Sequence, residues 1–137
     1  MDPNHFKEDD VMSSRKILIK RSIIEAILID ARNAYPNEGI LLLKGKVRKD
    51  CIELNDSITP FLPTRGAHFS SFPLHMMPLD LTVIGVAHSH PSGSSMPSVN
   101  DLNNFYGRIM IITAYPYLSE QDIAVYDRDG KRDYEIV

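Results

Sequence analysis

The apolar run Leu81-Thr82-Val83-Ile84-Gly85-Val86-Ala87 stops abruptly at His88-Ser89-His90-Pro91, and no other stretch restricts the fold as much. On an extended strand residues i and i+2 project from one face, so the two imidazoles enter the same space. Ser89, between them, turns to the opposite face and reads as a packing residue. Pro91 has no amide hydrogen and cannot continue a central ladder. The turn-forming Pro91-Ser92-Gly93-Ser94-Ser95 therefore takes the chain out of the sheet. What returns is Pro97-Ser98-Val99-Asn100-Asp101, where a serine followed three residues later by an acid is the signature of a helix start.

Two histidines at a strand end and one carboxylate from a returning loop make three protein ligands. That set suits a zinc ion that keeps a fourth position for water. Each part also has a purely structural reading. His-x-His at a strand end can be hydrogen-bonded or exposed without a metal, and Ser98 with Asp101 can serve as a capping box for free backbone amides.

The spacing His88-Ser89-His90, seven residues, Ser98, two residues, Asp101 resembles the His-x-His-x7-Ser-x-x-Asp signature of the JAMM (MPN+) metalloproteases without a departure. That family has an upstream glutamate near the start of the strand after the first helix, and Glu38 in Tyr35-Pro36-Asn37-Glu38-Gly39-Ile40 occupies the matching place. The resemblance runs from about Lys16 to the C-terminus. It implies an α/β fold, a single three-layer cytidine-deaminase-like MPN (JAB) domain with a curved mixed sheet flanked by helices. It also implies one Zn2+ per chain held by His88, His90 and Asp101, with Glu38 as general base and Ser98 as oxyanion donor.

The activity implied is that of a zinc-dependent isopeptidase or peptidase cleaving ubiquitin-like modifiers from conjugates. The few residues between Thr113 and Ile123 leave little room for the second of the insertions that hold ubiquitin in longer relatives, which favours a compact prokaryotic or archaeal-type member. Substrates are then ubiquitin-like or sulfur-carrier-like proteins. A processing peptidase for sulfur-carrier precursors and a non-catalytic MPN scaffold subunit are the alternatives. Scaffold members typically lack the ligands, whereas all the motif positions are filled here. A zinc nucleobase deaminase would need a Pro-Cys-x-x-Cys arrangement, which the single Cys51 excludes.

The remainder reads as support. Residues 1–14 are polar and acid-rich, a flexible tail preceding a domain over 15–137. Lys16–Lys20 is a short edge strand, and the spacing of Ile23, Ile24, Ile27, Leu28 and Ala31 predicts a helix over Ser22–Ala34, capped by Ser22 and stopped by Pro36. Glu38–Gly45 reads as a strand covered on both faces, Cys51–Ile58 as its hairpin partner and Cys51 as a buried thiol. Residues 59–80 carry Pro60, Pro63, Pro73 and Pro78 and read in part as an exposed loop with a short strand within 66–72; His68 and His75 lack ligand spacing to the motif. A short helix over Val99–Tyr106, a strand over Arg108–Thr113, and a hairpin of Ile123–Tyr126 with Tyr134–Val137 about Asp129-Gly130 follow.

A net charge of -3 argues against a nucleic-acid partner, since such a surface releases few counterions from phosphates. No apolar stretch reaches the roughly 18 to 20 residues needed to span a bilayer, and one cysteine permits no intrachain disulfide. The expected location is cytoplasmic, with no membrane partner. The sequence carries no indication of oligomeric state.

Overall fold

The structure, a computed structural model, describes residues 15–60 and 80–137. The proposed tail over 1–14, the short strand within 66–72, and His68 and His75 lie outside the described residues. Among the described residues the elements are β1 (Lys16–Ile19), α1 (Arg21–Ala34), β2 (Ile40–Val47), β3 (Cys51–Ile58), β4 (Val83–His90), α2 (Val99–Asn103), β5 (Ile109–Ala114), a 3-10 turn (Glu120–Asp122), β6 (Ile123–Asp127), β7 (Gly130–Arg132) and β8 (Glu135–Ile136). The strands form one mixed sheet in the order β7-β6-β5-β4-β2-β3-β1-β8. The two ends of that order, β7 and β8, are separated in the chain by only Asp133 and Tyr134, so the sheet is strongly curled.

Alternation along the central strands divides the core in two. Leu41, Leu43, Ala87, Ile109 and Ile111 pack with Ile23, Ile24, Ile27 and Leu28 of α1. On the opposite face Ile40, Leu42, Val86, Met110 and Ile112 pack with Phe105, Ala124 and Tyr126. Each fully buried side chain of this size contributes about 1.5–3 kcal/mol of transfer free energy, so both faces are committed and the register cannot slip by one residue. β4 lies between β2 and β5, with His88 opposite Ile40 on one side and Ile112 on the other. His88 and His90 therefore point to the second face, and Ser89 to the face that α1 covers.

Several boundaries differ from the sequence reading. The first helix begins at Arg21, with Lys20 as its cap residue and no side-chain cap bond. The Lys20 carbonyl already accepts the amides of Ile23 and Ile24, at 2.9 and 3.3 Å, so Ser22 falls inside the first turn. β1 is not an edge: β3 flanks it on one side and β8 on the other, both in parallel. The expected hairpin at the C-terminus is half right. β6 pairs with β7 about the Asp129 turn, but the last residues cross to β1, where the Val137 amide donates to the Ile19 carbonyl at 2.9 Å. Arg132 directs that crossing, since its guanidinium bonds both the Asp127 carboxylate and the Arg15 carbonyl. The second helix ends at Asn103, where the Asn104 amide and side chain both fold back on the Asn100 carbonyl. Cys51 is free and partly exposed.

Candidate metal centre

β4 delivers His88 and His90 to one face, two residues apart, and the loop after Pro91 returns α2 above them. Ser98 caps that helix. Its hydroxyl oxygen accepts the Asp101 amide at 3.1 Å, and the Asp101 carboxylate accepts the Ser98 amide at 2.8 Å. This capping box holds the buried Asp101 with its remaining lone pairs toward the histidines. Asp101 Oδ2 lies 3.0 Å from His90 Nε2 and Oδ1 lies 3.8 Å from His88 Nε2. The potential ligand atoms of His88, His90 and Asp101 all fall within 4.8 Å of one another.

These separations fit a zinc ion. With bonds of about 2.0–2.2 Å to nitrogen and oxygen, tetrahedral ligands stand roughly 3.3 Å apart, between the two distances observed. The protonation preferences fit as well. Burial pushes the His88 imidazole down to about 4, against the pull of the Asp101 charge, which keeps its ring neutral. Burial works against the Asp101 charge, but the His90 hydrogen bond, the Ser98 amide and the two imidazoles outweigh it and bring the carboxyl down to about 2. Burial also disfavours the charged form of His90, yet the Asp101 hydrogen bond, the Ser94 carbonyl and the charges of Asp101 and Glu38 raise its pKa. One neutral imidazole, one imidazole poised against a carboxylate and one ionised carboxylate form a donor set in which a divalent cation can replace the shared proton.

The orientation of His90 is set from behind. Its Nδ1–H donates to the Ser94 carbonyl at 2.8 Å, which directs Nε2 at Asp101. An outer partner of this kind fixes the tautomer of a ligating histidine. The loop that supplies it is also anchored, because the Tyr126 hydroxyl donates to the Ser95 carbonyl at 2.8 Å. A serine- and glycine-rich composition suggests a pliant loop; two carbonyls, each engaged by a strand side chain, restrain it. Composition gives no hint of either bond.

Glu38 and Ser98 lie on the rim. Together with His90, Pro91, Ser92, Asn100 and Asp101 they line an open cleft of about 320 Å³. Glu38 is half-buried at the mouth of β2, on the same face as Ile40 and hence as the histidines. The five residues singled out in the sequence thus converge on one cleft and the buried floor beside it. β4 has no free edge on either side, so an extended peptide cannot pair with the strand that carries the histidines.

Comparison with known proteins agrees with this geometry. The family described as prokaryotic homologs of the JAB domain matches residues 20–129. A protein of Haloferax volcanii described as a probable metalloprotease is 28% identical over 133 residues, covering 90% of this chain and 82% of the relative. Among solved structures, one described as "JAMM: A Metalloprotease-like Zinc Site in the Proteasome and Signalosome" superposes with a TM-score of 0.63 at 34% identity, covering 90% of this chain and 97% of that one. A JAB1/MPN domain protein from Archaeoglobus fulgidus gives 0.62 at 34% identity, with 91% and 98% covered.

Proposed function

The chain belongs to the prokaryotic homologs of the JAB domain, and from that premise we propose that it is a zinc metalloprotease that hydrolyses the isopeptide or peptide bond at the C-terminus of ubiquitin-like or sulfur-carrier-like proteins. The observation that carries this reading is the convergence of His88, His90 and Asp101, with ligand atoms within 4.8 Å, on the floor of a cleft rimmed by a carboxylate and a hydroxyl. When bound, zinc supplies Lewis acidity and makes a water nucleophilic near neutral pH.

The chain's own residues supply the rest. Glu38, on the rim and not among the three clustered ligands, takes the proton from the attacking water and passes it to the departing amine. Ser98 has two tasks that do not compete. Its oxygen accepts the Asp101 amide, which leaves the hydroxyl hydrogen free to stabilise the developing oxyanion. Asp101 is ionised and buried, so it holds charge where water cannot screen it.

The test is zinc content together with cleavage of two probes: a ubiquitin-like protein joined by its C-terminus to a lysine ε-amine, and the same protein with a linear C-terminal extension. Glu38→Gln is expected to retain zinc and lose about 10²–10⁴ in rate, the usual weight of a general base. Loss of zinc in that variant, or undiminished cleavage, contradicts the role given to Glu38. The ratio of the two probes separates the isopeptidase from the precursor-processing reading.

Ser98→Ala is expected to lose about 1 kcal/mol of stability through the cap and about 10²–10³ in kcat through the oxyanion donor. Ser98→Asp keeps a cap acceptor without a hydroxyl. It should melt like the parent and remain slow; recovery of activity in Ser98→Asp would exclude oxyanion donation.

A further inference from the structure

Ser89, between the two histidines, faces away from the His88, His90 and Asp101 cluster and is buried. Its position on β4 places it across from Gly39, the residue that follows Glu38. Two bonds join them. The Ser89 amide donates to the Gly39 carbonyl at 3.1 Å, as an antiparallel ladder requires. The reciprocal bond is different: the Gly39 amide donates to the Ser89 hydroxyl oxygen at 2.7 Å instead of to the Ser89 carbonyl. A side chain thus closes the ladder at the point where β2 begins.

The Gly39 amide shares a rigid peptide plane with the Glu38 carbonyl. Holding that plane, together with the chain on the other side of the Glu38 α-carbon, fixes the direction in which the Glu38 side chain leaves the backbone. The other end of the segment is fixed independently. Tyr35 stacks on Tyr115 with ring centroids 4.9 Å apart, and the Asn37 amide donates to the Ala34 carbonyl at 2.8 Å. Tyr115 in turn donates its amide to the His90 carbonyl at 3.1 Å, so both ends of the Glu38 segment are tied to β4. Behind the clamp, Asp30 and Ala31 of α1 close over Gly39, Ser89 and Thr113, leaving a cavity of only about 10 Å³.

We propose that Ser89 is a positioning residue for Glu38: through the Gly39 amide it sets the carboxylate over the metal cluster without touching metal or substrate. The inference rests on the reading of Glu38 as general base. It assigns to the residue between the histidines a task on the opposite face of the strand from theirs.

The experiment is a double-mutant cycle on the zinc-loaded full chain, using the lysine-linked ubiquitin-like probe. Ser89→Ala is expected to lower kcat by about 10–100-fold, the usual cost of an outer partner, with KM and zinc content unchanged. Ser89→Thr, which keeps an Oγ, is expected to recover most of that loss. In the Glu38→Gln background Ser89→Ala should cost less than twofold, because the group it positions is already gone. An equal loss in both backgrounds would overturn the proposal, as would a fall in kcat that tracks zinc loss or a Ser89→Ala enzyme with parental kcat. If Glu38→Gln alone keeps full activity, the general-base reading fails first and the positioning proposal with it.

Discussion

Asp101→Ala is expected to abolish proteolysis and to weaken zinc binding by more than the roughly 10–100-fold that loss of an outer partner costs, because Asp101 is itself a ligand in this account. The same change removes one half of the capping box: the Ser98 amide loses its acceptor and the N-terminal turn of α2 loses its acid, while the amide of residue 101 still donates to Ser98 Oγ. About 1 kcal/mol of stability should go with that one hydrogen bond. Asp101→Asn separates the two roles. An amide oxygen can still accept the Ser98 amide, so stability should largely return, whereas the charge that balances a dication does not. Dialysis against a graded zinc chelator, followed by metal analysis and thermal melting, reads both quantities. Parental zinc retention in Asp101→Ala would remove Asp101 from the ligand set.

The second large effect lies in the sheet. Gly85 sits in the middle of β4, opposite Leu43 of β2 and Ile109 of β5. A β-carbon added there would fall well inside the van der Waals radius of the Ile109 carbonyl oxygen and only 3.2 Å from Ile109 Cβ. Backbone cannot yield as a flexible side chain can, so Gly85→Ala must push β4 away from β5. Overpacking of this kind costs about 1–3 kcal/mol or more, a large share of the roughly 5–15 kcal/mol that holds a domain folded. The melting temperature should fall by roughly 10 °C. The histidines, three and five residues along the same strand, should lose zinc affinity as well. A Gly85→Ala protein that melts within about 2 °C of the parent would show that the two strands have more freedom than their packing implies.

The parts of the fold that are legible in the sequence are those governed by a single strong local cause. The helical spacing of Ile23, Ile24, Ile27, Leu28 and Ala31 marks α1, and all of these residues are buried. The unbroken run Ile40–Leu43 marks a central strand because both faces of β2 are covered. The proposed ligand set is legible for the same reason, since period-2 spacing alone puts His88 and His90 on one face and the cap chemistry of Ser98 fixes Asp101. What cannot be read there is settled by long-range partners. The destination of Glu135 and Ile136 depends on Arg132 reaching the Arg15 carbonyl, a contact across most of the chain. The Ser95 carbonyl is anchored by the Tyr126 hydroxyl, 31 residues along the chain. Backbone acceptors leave no mark in a residue string. Strand parity turns Ser89 from the metal face, and on parity alone it is a packing residue. The parity holds, and the function proposed for Ser89 lies on the face to which it turns.

The proposed chemistry requires one ion held by two imidazoles and one carboxylate. Zinc-edge X-ray absorption on the zinc-loaded protein reads that coordination directly. Expected are one zinc per chain, two imidazole nitrogens at about 2.0–2.1 Å, oxygen in the remaining positions, and loss of the imidazole signature in a His88→Ala/His90→Ala double variant. A sulfur neighbour from Cys51, a third imidazole drawn from His68 or His75, or a spectrum unchanged in that double variant would place the metal elsewhere and contradict it.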